Sequence, residues 1–128
     1  MNLFLKLYIG KDGEEPFLGR GPVELLENIL KTGSIRAAAS GMRMSYSKAH
    51  RIIRRLEKGL GLRVLRPETG GAGGGGSVLT EEGRRLIRDY RKLEKEVTEF
   101  ASGRFSETVA FYGKSRSQRN SPQNPRGF

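Results

Sequence analysis

The sequence predicts a mainly α-helical fold with a small β component, in the α+β class. Three observations predict it. Apolar residues recur at helical spacing in four stretches between Pro22 and Phe100. Two short apolar runs, Arg63-Val64-Leu65-Arg66 and Ser77-Val78-Leu79-Thr80, bracket a run of glycines. The last helical stretch carries a heptad repeat.

The elements follow in order. Leu3, Leu5, Leu7 and Ile9 alternate with Phe4, Lys6 and Tyr8, which is the period of a strand. Asp12-Gly13 marks a turn, and Phe17-Leu18 returns as a short second strand that Pro16 confines to an edge. This is an N-terminal β-hairpin. Gly21-Pro22 opens the first helix, with proline where its missing N–H costs nothing. Its apolar positions are Val23, Leu26, Ile29 and Leu30, and Gly33 ends it. Ser34 caps a short second helix with Ile35, Ala38, Ala39 and Met42 on its apolar face. Gly41 marks a tight turn. Ser45 caps a third helix running to about Lys58, with Tyr46, Ala49, Ile52 or Ile53, Leu56 and Leu60 as its stripe. Gly59 and Gly61 terminate it. Thr80 caps the longest helix, about Glu81 to Phe100, with Glu81 and Glu82 at the positive end of the dipole. Ala101-Ser102-Gly103 ends it. The segment Phe105–Tyr112 forms one more short element, and the polar, basic remainder is expected to be disordered. The resulting division is a folded domain over 1–101 and a basic, flexible tail over 102–128.

The glycine run, Gly70 to Gly76 with one alanine, admits three readings. A phosphate-binding loop needs a lysine and a helix after the glycines, whereas Ser-Val-Leu-Thr follows here. A dinucleotide site needs a βαβ unit that these short strands do not supply. A linker needs domains on both sides, and the flanking elements are too small. A hairpin tip remains. The order is then helix, helix, turn, helix, hairpin, long helix, which is a winged helix-turn-helix.

Charge directs the functional reading. The chain has 24 Lys and Arg against 14 Asp and Glu in 128 residues, a net charge of +10 that attracts polyanions. On the third helix, Ser47, Lys48, His50, Arg51, Arg54, Arg55 and Lys58 lie largely opposite the apolar stripe, with no acid before Glu57. A basic face there suits the acidic groove of double-stranded DNA. Lys48 and Arg51 are placed for bases, since arginine on guanine is the commonest specific contact. Arg54 and Arg55 lie further along, toward phosphates. Ser45 and Ser34 serve as caps or as hydroxyl donors to the backbone. Tyr46 is divided between core and phosphate, and His50 reads as a polar contact. Arg66 and Thr69 flank the wing and reach backbone or minor groove. Leu86, Tyr90, Leu93, Val97 and Phe100, with Gly83, make the heptad seam. That seam faces either a second copy, giving a homodimer, or its own domain. At about 20 residues the helix spans roughly 30 Å, more than a small winged domain needs.

The absence of cysteine removes disulfides and thiolate metal sites, and the single histidine removes any site needing two. No cofactor, metal or catalytic motif is expected, so the chain does not read as an enzyme. The apolar start is interrupted by Lys6 and is too short for a membrane span. A cytoplasmic location and no membrane partner are expected.

The stretch LLENILKTGSIRAAASGMRMSYSKAHRIIRRLE, then TGGAGGGGSVLTEEGRRLI, resembles the N-terminal DNA-binding domain of ModE-type molybdate-responsive regulators, relatives of LysR-type winged helices. The opening YIGKDGEEPFLGRGPVELL is similar to their lead-in. The resemblance covers roughly residues 5–100. It implies a dimeric, cytoplasmic transcription regulator with its third helix in the major groove. Residues 101–128 are too few for the β-barrel that follows in such regulators, so molybdate binding is not carried over. The alternatives are an architectural DNA-binding protein without sequence choice and a molybdate or tungstate sensor.

Overall fold

The computed structural model describes residues 1–68 and 76–114. It holds four α-helices and one two-stranded sheet among those residues. The chain divides into two compact units. One is Lys6–Arg91; the other joins Met1–Leu5 to the chain from Lys92 onward.

In the first unit the N-terminal hairpin is reduced to one bridge, Ile9 with Leu18, closed by N–H···O bonds of 2.9 and 3.1 Å. The two predicted strands therefore do not form. The next hydrogen-bonded pair would set Lys11 against Pro16, which has no N–H to give. The pair on the other side would use Arg20, which already belongs to a helix. The alternation itself is real: Leu7 and Ile9 pack on the core while Lys6 and Tyr8 face out.

Helix α1, Arg20–Thr32, buries Val23, Leu25, Leu26 and Ile29. Leu25 takes the place expected for Leu30, which is 51% exposed. Gly33 adopts φ 74° and closes the helix through its N–H to Ile29 O. Helix α2, Ile35–Gly41, is capped by Ser34, whose Oγ accepts the Ala37 N–H at 3.1 Å. The turn after it does not use Gly41. Arg43 adopts the positive φ, 56°.

Helix α3, Tyr46–Leu60, starts at the Ser45 cap, where Oγ accepts the Lys48 N–H at 3.1 Å. It buries Ala49, Ile53 and Leu56. Tyr46 is not in that stripe and is 41% exposed. Gly59 does not end the helix. It lies inside it because the Phe17 ring occupies the space of a Cβ there. Gly61, at φ 71°, is the terminator.

The wing pairs β1, Leu65–Glu68, with β2, Gly76–Leu79, antiparallel, Leu65 opposite Leu79 and Pro67 opposite Ser77. β1 begins two residues later than the sequence predicts and takes in Pro67, which a two-stranded ladder tolerates on its open side. Ser77 N–H donates to Gly33 O at 3.0 Å, tying the wing to the end of α1. The loop tip, including Thr69, lies outside the described residues.

Helix α4, Glu81–Glu107, starts where Thr80 Oγ1 accepts the Gly83 N–H and donates to Arg63 O at 2.7 Å. In the first unit it contributes Gly83 and Tyr90 to the buried interior, with Leu86 and Ile87 packed beside them. Tyr90 is 2% exposed, and its hydroxyl donates to Leu7 O. Arg91 clasps Glu27 with two bonds, 2.7 and 3.0 Å, which fixes α4 against α1.

In the second unit α4 runs through Ala101-Ser102-Gly103, seven residues past its predicted end. A glycine inside a helix costs only about 1 kcal/mol, and no proline stands between Gly103 and Glu107 to stop the helix. Ser106 and Thr108 hydroxyls donate to carbonyls four residues back, and Arg104 pairs with Glu107 at 2.9 Å. A 3₁₀ helix, Val109–Gly113, follows. Residues 102–107 and 109–113, within the stretch expected to be a tail, are thus helical, and residues 115–128 lie outside the described part.

Candidate nucleic-acid interface

The interface is built on α3. Three residues of its apolar stripe, Ala49, Ile53 and Leu56, are committed to the core, and the opposite side is left to solvent. Ser47, Lys48, Arg51, Arg54, Arg55 and Lys58 are all exposed, and His50 is half-buried. Spacing of three and four places Ser47, Arg51, Arg54 and Lys58 along one line of the helix. Glu57 is the sole acid on α3, and its carboxylate is occupied.

That carboxylate was not foreseen as a site residue. Glu57 Oε2 accepts the backbone N–H of Val64 at 2.8 Å and of Leu65 at 3.3 Å, and lies 3.6 Å from Arg63. It ties the first residues of the wing to α3. Its signal in the sequence is its isolation as an acid at the end of the basic run.

Between α3 and the wing lies a groove of about 220 Å³. Tyr46, His50 and Arg54 line it from α3, and Arg63, Arg66 and Ser77 from the wing side. Cations of two elements therefore face one channel. Tyr46 borders it with its ring 5.9 Å from that of His50.

The other flank of α3 carries the N-terminal hairpin. Arg55 donates to Pro16 O at 3.4 Å and lies 3.7 Å from Glu15. Among the described residues Arg55 is thus engaged by a carboxylate and a carbonyl of its own chain, while Arg51 and Lys58 lie opposite the buried stripe of α3. Ser34 and Ser45 both act as caps. On α4, Leu86 and Tyr90 belong to the interior of the first unit, whereas Leu93 is 43% and Phe100 72% exposed and Val97 half-buried. Among the described residues there is no group of His, Cys, Asp or Glu able to hold a metal, and no helix long and apolar enough to cross a membrane.

Three helices, a turn and a β-hairpin in this arrangement define a winged helix-turn-helix protein. Residues 22–84 match the family described as bacterial regulatory helix-turn-helix protein, lysR family; the chain carries a LysR-type helix-turn-helix domain. The chain is 38% identical over 85 residues to the molybdenum-pterin-binding protein MopB of Rhodobacter capsulatus, covering 66% of this chain and 32% of that protein. It is 35% identical over 79 residues to the transcriptional regulator ModE of Haemophilus influenzae, covering 62% and 31%. It is 38% identical over 71 residues to the DNA-binding transcriptional dual regulator ModE of Escherichia coli, covering 56% and 27%. The chain thus spans about a third of the length of these relatives. Its fold is similar to that in the crystal structure of the CbnR DBD–DNA complex, at a TM-score of 0.53 and 23% identity, covering 75% of this chain and 99% of that one. The BenM DBD/catB site 1 DNA complex gives 0.51 and 20%, covering 75% and 96%.

Proposed function

We propose that this chain is a sequence-specific, DNA-binding transcriptional regulator that acts as a homodimer. The observation that carries the reading is the exposed basic face of α3 within a LysR-type helix-turn-helix. In this reading α3 enters the major groove. Ser47, Lys48 and Arg51 approach base edges; Arg54 and Arg66 neutralise phosphates from the groove beside the wing. The wing lies on the backbone or in the minor groove. Arg55, held by Glu15 and Pro16, acts mainly to fix the hairpin. Leu93, Val97 and Phe100 meet a second copy.

The test is selection of bound duplexes from a random library by the purified chain at near-physiological salt. An enriched palindrome is the expected outcome. Binding without enrichment would move the function to an architectural role, in which charge alone supplies affinity. On an enriched site, Arg51→Ala is expected to weaken binding by about 1–3 kcal/mol and to relax the preference at one base position. Equal loss on all sequences removes Arg51 as a base reader.

A further inference from the structure

Arg36 on α2 lies outside the basic face of α3, yet its guanidinium sits over a ring of that helix. Its Cζ lies 4.6 Å from the centroid of the Tyr46 ring. Both residues are exposed. The same ring has His50 beside it and borders the groove lined by Arg54, Arg63 and Arg66. Tyr46 thus stands between Arg36 and the cations of the groove.

A guanidinium over the face of an aromatic ring is held there by the attraction between its charge and the ring's π face. That attraction restrains the group while leaving N–H donors free of other acceptors. A guanidinium fork matches a phosphate with two parallel bonds. Among the described residues no carboxylate pairs with Arg36, although Arg55, Arg63, Arg85, Arg88, Arg91 and Arg104 each have one.

We propose that Arg36, aligned by Tyr46, is a phosphate-contacting residue of the DNA interface. This rests on the DNA-binding reading and extends the contact surface from α3 to α2. The role of Tyr46 follows from it: the ring is a positioning group, exposed because its packing partner is a cation rather than the core.

The experiment measures affinity for one short duplex across a salt series, for the full chain and for Arg36→Ala, Tyr46→Ala and the double variant. Circular dichroism and a thermal melt confirm that each is folded; Arg36→Gln is the second variant should alanine disturb α2. Loss of one phosphate contact lowers the slope of log K against log salt by about 0.9. The expected result is that drop in Arg36→Ala, with a much smaller effect of the same change in the Tyr46→Ala background. An unchanged slope in folded Arg36→Ala overturns the contact. An equal drop in both backgrounds overturns the alignment by Tyr46. A parent chain that binds no duplex overturns the DNA-binding reading itself, a result distinct from the other two.

Discussion

Arg43 occupies the turn of the helix-turn-helix at φ 56°, where an L side chain crowds its own backbone. Holding a non-glycine residue there costs roughly 1–2 kcal/mol. Among the described residues no partner of Arg43's exposed side chain recovers that cost. Arg43→Gly is therefore expected to stabilise the fold by about 1 kcal/mol, partly offset by the freedom glycine gains when unfolded. A rise of several degrees in melting temperature is the readout, and a fall would mean that Arg43 makes an attachment stronger than its strain. Glu57 is the opposite case. Its carboxylate serves two backbone N–H groups where the chain leaves α3 for the wing, and its side chain is only 19% exposed. Glu57→Ala strands both donors and is expected to cost about 1.5–3 kcal/mol. Glu57→Gln keeps an acceptor and should cost less. Amide exchange of Val64 and Leu65 localises the effect; if those amides stay protected in Glu57→Ala, the clasp is not what holds the wing.

The elements meet at places where a side chain would not fit, and this decides which glycines matter. At Gly83 an added Cβ would stand 2.5 Å from Val64 O, a backbone atom that cannot swing aside. Gly83→Ala, favourable by helix propensity alone, is expected instead to destabilise by about 1–3 kcal/mol through overpacking. Denaturant titration measures it, and a gain in stability would show that α4 can shift away from the backbone of Val64, just before β1. The sequence made the caps legible. Ser34, Ser45, Thr80, Gly33 and Gly61 perform the roles their residue types and positions predict, because capping is local chemistry. It also made the helix-turn-helix and its open basic face legible, since both follow from periodicity. What it hid was tertiary. Gly59 looked like a terminator until Phe17, about forty residues earlier, was seen to need its space. The hairpin ladder failed at Pro16 through a pairing that register alone reveals. The partners of Glu57 and Glu27 lie outside their own helices, beyond what local pattern carries. The length of α4 was underestimated because Ala101-Ser102-Gly103 looks like an ending when nothing tells how strongly the following turn is bonded.

At the scale of the whole molecule, α4 carries one seam with two different fates. Gly83, Leu86 and Tyr90 are used up inside the first unit. From Leu93 onward the same three-and-four spacing continues, but Leu93 and Phe100 stay open to solvent at 43% and 72%. A large exposed aromatic on a regular helical stripe is costly to leave in water, roughly 25 cal/mol for each Å² of apolar surface that a partner would cover. A repeat of this kind is self-complementary, so a second copy of the helix presents the matching knobs and holes. From Leu93 to its end at Glu107, α4 runs about 22 Å, enough for about two heptads of contact. We therefore expect the chain to sediment as a dimer whose dissociation depends on concentration. Replacing both Leu93 and Phe100 by glutamate puts like charges on the seam without touching the first unit's interior, so the variant should remain folded and sediment as a monomer. On DNA it should lose most of its affinity for a two-fold site while keeping weak binding to a single half-site, because avidity is lost and each α3 is unchanged. A variant that still sediments as a dimer, or a parent chain that is monomeric at all accessible concentrations, removes this seam as the dimer contact. A monomeric variant with undiminished affinity for the two-fold site would instead show that one copy of α3 suffices, and the homodimer would drop out of the mechanism.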